Sequence, residues 1–179
     1  MARVLLLCTA NQCRSPMGAA ILRALRPELE VRSAGRLPGG VAASTTAVEV
    51  LAERGLDLSG HVSQTATPAL LVDSDLVLGM AREHVRDAVL MRPEVRARAF
   101  VLKDLVRRAS AVGPRPAGQE LDAWLVAAGR GRTTADLLGA SEADDVADPI
   151  GRSANRYRAC ADELEQLLGR VAASAFPTR

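Results

Sequence analysis

The chain opens with RVLLLCTANQCRSPMG, in which Cys8 is followed six residues later by Arg14 and then by Ser15. A thiolate is a strong nucleophile, and a guanidinium fork can hold two oxygens of a tetrahedral oxyanion at once. The loop Cys8, Thr9, Ala10, Asn11, Gln12, Cys13, Arg14, Ser15 can turn several backbone N–H groups inward. A helix starting at its end would add the positive pole of its N-terminus, completing an anion cradle. That field favours a thiolate at Cys8, and the Ser15 hydroxyl can donate to it. These are the parts of an oxyanion site with a nucleophile at its floor, equipped to attack phosphorus or arsenic. The stretch lacks the G-x4-G-K-[ST] pattern of a nucleotide-binding loop. Cys8 and Cys13 are not spaced as C-x-x-C, and His61 and His84 supply no ligand spacing, so no metal and no cofactor are expected.

Such a loop needs a strand before it and a helix after it. RVLLLC (3–8) is a continuous apolar run, the pattern of a strand buried on both faces. SPMGAAILRALRPE reads as a helix, with Ser15 placed to cap it and Pro16 in its first turn. EVRSAG (30–35) reads as a second strand, 41–57 as a helix stopping near Gly55, and SDLVLGM (74–80) as a third strand. A helix over 81–94 ends near Pro93, and a fourth strand at 99–102 runs into a basic helical stretch. GPRPAG is a break, a short helix is expected at 119–128, and a long final helix over 153–176. The alternation predicts an α/β fold in three layers: a central four-stranded parallel sheet flanked by helices, in one domain spanning 1–179. Ligands of such sheets sit where strands give way to helices, which is where Cys8 stands.

Composition bounds the partners. The chain is 48% hydrophobic but only 2% aromatic, so its core is aliphatic. Basic and acidic residues number 23 and 21, a balance that does not suggest a nucleic-acid binder. Cys8, Cys13 and Cys160 are too few and too odd for a disulfide framework, and no apolar stretch reaches membrane-spanning length. A cytoplasmic protein with free thiols and no membrane partner is expected. A second chemical element is EADDVADP, with Glu142, Asp144, Asp145 and Asp148. A leaving phenolate or alkoxide needs a proton, and Asp148 sits before Pro149, which restricts its loop.

The segment VLLLCTANQCRSPMGAAILR resembles the opening of the low-molecular-weight protein-tyrosine-phosphatase family, whose loop is typically C-x-G-N-x-C-R-S-P, within an arsenate-reductase-like phosphatase superfamily. VRSAG (31–35), GLDLSGHVSQ (55–64), SDLVLGM (74–80) and VADPIG (146–151) extend the resemblance over almost the whole chain. It implies a protein-tyrosine phosphatase that hydrolyses a phosphorylated protein or small phosphomonoester through a cysteinyl-phosphate. By the same resemblance Cys8 is the nucleophile, and the backbone amides of residues 9–14 with the Arg14 guanidinium hold the phosphate. Asn11 keeps the loop's shape, Ser15 steadies the thiolate, and Ser33 and His61 support Asn11 and Ser15. Asp148 is the general acid. Cys13 is either a redox partner that shields Cys8 from irreversible oxidation or a small residue packed under the loop. His84 lies on a surface-like helical segment and receives no role.

The chain departs from the family pattern at several points. Ala10 stands where Gly is usual, which requires its backbone to avoid positive φ. Gln12, at the pocket mouth, matches neither the Ile frequent in tyrosine phosphatases nor the Thr of arginine-phosphate phosphatases. Ile150 and Gly151 follow Asp-Pro where animal members carry tyrosines, leaving Gln12 and Ile150 as an aliphatic and amide substrate wall. The 107–145 segment is long, and its Trp124 is either a docking or lid residue or an anchor on the core. The alternatives are a protein-arginine-phosphate phosphatase and an arsenate reductase coupled to a small external thiol. Oligomeric state is not indicated.

Overall fold

The computed structural model describes residues 1–177, so the last two residues of the expected 1–179 domain lie outside the described part. Strands β1 (Arg3–Cys8), β2 (Glu30–Gly35), β3 (Leu76–Gly79) and β4 (Ala99–Val101) form one sheet in the order β2-β1-β3-β4. Every pairing is parallel, with Cys8 beside Gly35 and Leu7 beside Gly79. Helices α1 (Arg14–Leu25), α2 (Thr45–Ala52), α3 (Pro68–Val72), α4 (Arg82–Met91), α5 (Leu102–Val112), α6 (Leu121–Ala128) and α7 (Ala154–Ala175) cover the sheet. The chain leaves β1 toward β2 on one side and later returns to β3 on the other. The carboxyl end of β1 is therefore the switch point, where a crevice opens.

The unbroken apolar run of β1 is explained by burial on both faces. Val4, Leu6 and Cys8 join Met17, Ile21, Leu164 and Leu168 on the α1 and α7 side. Leu5 and Leu7 join Leu71, Val85 and Ala88 on the α3 and α4 side. Each large aliphatic side chain so buried contributes about 1.5–3 kcal/mol. Gly18 on α1 lets the helix lie close to β1, since a Cβ there would stand 2.8 Å from Leu6 Cδ2. None of the described helices is long and apolar enough to cross a membrane.

The structure revises several expected elements. The helix read over 41–57 is confined to Thr45–Ala52. The residues before it are extended instead: Ala42 bridges Val62, and the Ser44 N–H donates to the Gln12 carbonyl at 2.9 Å. Helix α3, at Pro68–Val72, was not anticipated because five residues are too few to show a periodicity. It begins with Pro68 in its first turn, and Thr67 Oγ1 accepts the Leu70 N–H at 3.3 Å. Arginines pin the 107–145 segment over the β4 edge. Arg108 donates to the Arg130 carbonyl at 3.1 Å, and Arg132 reaches the carbonyls of Ala99 and Arg96 while lying 3.6 Å over the Phe100 ring. Trp124 is buried and its indole N–H donates to the Gly113 carbonyl at 3.0 Å, so it anchors this segment and is no exposed docking side chain.

Candidate active site

The loop from β1 to α1 wraps the Cys8 thiol in donors. Ser15 Oγ lies 3.0 Å from Cys8 Sγ and the Asn11 N–H 3.2 Å from it. The expected capping role of Ser15 is not what the structure shows. The helix starts at Arg14, its cap position is Cys13, and no side chain caps it. Ser15, already inside the first turn, spends its hydroxyl on sulfur, and the first-turn amides stay unpaired within the helix.

Asn11 holds the loop's shape. It is the single non-glycine among the described residues with positive φ, at 54°, a conformation that Asn tolerates better than most side chains. Ala10 thus avoids the left-handed region. Both protons of Asn11 Nδ2 are used, on Ser15 Oγ and Ser33 Oγ at 2.9 Å each, and its Oδ1 accepts the Gln64 N–H at 3.0 Å. His61 Nε2 lies 2.8 Å from the Asn11 carbonyl, to which it donates. Gly35, at the end of β2, permits this closeness: a Cβ there would sit 2.8 Å from the Thr9 carbonyl and 2.9 Å from the Asn11 nitrogen. Arg36 and Leu37 N–H groups donate to that Thr9 carbonyl at 2.9 and 3.1 Å.

Arg14 is buried at the loop's other end. One terminal nitrogen donates to the Val146 carbonyl at 3.2 Å, and the other to Thr9 Oγ1 at 3.3 Å and Asp148 Oδ2 at 2.5 Å. Its Nε is buried and has no partner among the described residues. A buried N–H without an acceptor is rare in a protein interior, and here it belongs to the cation that closes the Cys8 loop. Asp148 is exposed on its loop, where its Oδ1 also accepts from the Ile150 N–H at 3.1 Å and the Cys13 thiol at 3.6 Å. Burial first, then the nearby Asp148 and Cys8, push the Cys13 thiol up, so Cys13 stays protonated and serves as the donor. Gln12 is half-buried at the loop and Ile150 exposed beyond Asp148.

Two features escaped the sequence reading. His84 is buried, not surface-like, and its Nε2 lies 3.1 Å from Thr9 Oγ1. Burial, with Arg14 and Arg36 adding to it, pushes its pKa down to about 4, so the ring is neutral near pH 7. Asp144 and Asp145, to which the sequence assigned no individual role, clamp the loop that carries Asp148. Asp144 Oδ2 accepts from Arg82 Nε at 2.7 Å and Asp144 Oδ1 from Arg107, while Asp145 Oδ1 accepts the Arg82 N–H at 2.9 Å. The Val146 N–H then donates to the Met80 carbonyl at 2.7 Å. No local pattern distinguishes a clamp from a solvated run. Cys160 is buried in α7, and burial pushes its thiol up to about 12, so it is no accessible member of a thiol relay.

The family described as "Low molecular weight phosphotyrosine protein phosphatase" matches residues 3–113. The low molecular weight protein-tyrosine-phosphatase Etp of Escherichia coli K12 is 38% identical over 100 residues, covering 55% of this chain and 67% of that protein. The protein-arginine-phosphatase of Geobacillus stearothermophilus is 32% identical over 173 residues, covering 95% of this chain and 93% of that protein. A span of that length takes in Asp148 as well as the loop. Among solved structures, the Erwinia amylovora tyrosine phosphatase AmsI superposes with a TM-score of 0.74 at 25% identity, covering 98% of this chain and 95% of that one. With the strand–loop–helix geometry around Cys8 and these matches together, the chain belongs to the low molecular weight protein-tyrosine phosphatase family.

Proposed function

We propose that the chain is a protein-tyrosine phosphatase that cleaves phosphomonoesters through a cysteinyl-phosphate intermediate. The observation that carries the reading is the pairing of a twice-hydrogen-bonded Cys8 sulfur with a buried Arg14 whose Nε has no protein partner. Substrate phosphate takes the Arg14 nitrogens, displacing Asp148 from the 2.5 Å ion pair. Cys8 Sγ attacks phosphorus in line, the P–O bond to the leaving group breaks, and that oxygen takes the proton of the Asp148 carboxyl group. Water then attacks phosphorus, Asp148 accepts its proton, and the S–P bond breaks to release phosphate. Charge on the transferred oxygens is met by the loop amides and Arg14, dipoles already fixed in place.

The substrate is a phosphorylated protein side chain, with phosphotyrosine first. A second reading, phosphoarginine, draws on the protein-arginine-phosphatase relatives that span 94–95% of the chain, where the tyrosine-phosphatase relative Etp spans 55%. Gln12 and the exposed Ile150 wall favour neither strongly. All three cysteines are free, which suits a reducing compartment such as the cytoplasm. Cys13 stands as the partner with which an oxidised Cys8 would close a protective disulfide.

Turnover of a phosphotyrosine peptide, phosphoarginine and arsenate, each with the Cys8→Ser variant as control, tests the reading. Phosphotyrosine hydrolysis lost in Cys8→Ser with phosphate binding retained supports it. Preference for phosphoarginine keeps the mechanism and changes the substrate. Activity on arsenate alone, supported by a small thiol, overturns it.

A further inference from the structure

Thr9 Oγ1 has an unusual set of neighbours. Arg14 can only donate, so the hydroxyl oxygen accepts from its terminal nitrogen at 3.3 Å. His84 Nε2 stands 3.1 Å away on the other side. The protonation of that ring decides where the Thr9 proton goes. If His84 carries its proton on Nδ1, a buried donor is left without an acceptor, since Nδ1 has no partner among the described residues. Nε2 would then also present its lone pair to Glu83 Oε1, a carboxylate oxygen 3.5 Å away. If the proton is on Nε2, only an acceptor is orphaned, which interiors tolerate more readily than an orphaned donor. Nε2 then faces two acceptors, Thr9 Oγ1 and Glu83.

With Nε2–H donating, both lone pairs of Thr9 Oγ1 are occupied, one by Arg14 and one by His84. Its own proton has no other acceptor within hydrogen-bond distance among the described residues. An oxyanion gripped by Arg14 brings an oxygen next to the hydroxyl bonded to that same nitrogen. We infer that the Thr9 side chain donates a hydrogen bond to a non-bridging oxygen of the transferred phosphoryl group, and that His84 is the positioning residue that aims it. The inference rests on the phosphatase reading above and adds to it a side-chain donor beyond the loop amides and Arg14.

The test compares Thr9→Val, Thr9→Ser, His84→Phe and the Thr9→Val/His84→Phe double variant in hydrolysis of an aryl phosphomonoester, with inorganic phosphate as inhibitor. A hydrogen bond to a charged oxygen corresponds to about tenfold to a hundredfold in kcat/KM and in phosphate inhibition. Thr9→Val should show that loss, Thr9→Ser should restore most of it, and the double variant should be no worse than Thr9→Val alone. Imidazole 15N resonances of the unmodified protein should show His84 protonated at Nε2 near pH 7. Thr9→Val at full activity, additive losses in the double variant, or an Nδ1-protonated His84 each overturns the inference and leaves the phosphatase reading intact. Should His84→Phe fail to fold, the Thr9 pair and the 15N spectrum decide alone. An unmodified protein that neither turns over phosphomonoesters nor binds phosphate overturns the phosphatase reading itself, and the inference with it.

Discussion

Asp144→Asn asks whether the loop of the proposed general acid Asp148 is positioned by ion pairs remote from its own chemistry. Asp144 is 6% exposed and joins Arg82 of α4 to Arg107 of α5. Two residues along, the Val146 carbonyl accepts from Arg14 at 3.2 Å, and Asp148 lies two residues further. Asparagine keeps the shape but offers one acceptor oxygen where Asp144 offers two, and its NH2 cannot accept from an arginine, so one bond loses its charge and the other, worth about 1.5–3 kcal/mol, is lost. Removing one partner of a fully buried ion pair costs about 3–5 kcal/mol, but Arg107 is half-exposed and regains water. The expected loss is therefore about 2–3 kcal/mol in urea unfolding at pH 7. Arg107 and Arg82 hold the Asp144 carboxyl below the usual carboxylate range against the opposing effect of burial. Its contribution is thus present above the unfolded-state value near about 4 and disappears as pH falls through the folded value. The two proteins should converge in stability at low pH. Turnover should fall about tenfold or more for esters with poor leaving groups, because a misplaced acid costs rate where protonation is needed. Equal stability at pH 7 refutes the ion-pair argument. A stability loss with unchanged turnover of poor leaving groups refutes the positioning argument.

Three further outcomes follow from the same geometry. Asp148→Ala should slow turnover by about 10²–10⁴-fold for alkyl or unactivated aryl esters and much less for activated ones, read from initial rates across a leaving-group series; an equal loss across the series would falsify the acid role. Asn11→Ala orphans Ser15, Ser33 and Gln64 at once and places alanine at φ 54°, so it should cost about 2–4 kcal/mol in denaturant unfolding and weaken phosphate inhibition. Wild-type stability should decline between pH 6.5 and about 4, because the unfolded chain takes a proton on His84 that the folded one refuses. The decline attributable to His84 is of order 3 kcal/mol, and His84→Phe should flatten it in a pH series of unfolding curves.

Much of the site was legible in the linear order of residues because its parts are local. Cys8, Asn11, Arg14 and Ser15 lie within one strand–loop–helix unit, and a chain of that pattern has few ways to arrange them. The apolar run 3–8 announced a strand buried on both faces, and it pairs over Arg3–Cys8 as read. What escaped the reading depends on long-range packing. His84 looks like a helical surface residue until α4 is laid against the carboxyl end of β1, where its ring meets Thr9 from 75 positions away. Asp144 looks like part of a solvated acidic run until Arg82 and Arg107 arrive from two different helices. A carboxylate or an imidazole carries no local sign of its future partner, because its burial and hydrogen bonds are decided by which elements the sheet brings together. Short-range geometry made the Cys8–Ser15 loop readable, while the tertiary fold alone decided what would hold the Asp148 loop and the Thr9 hydroxyl in place.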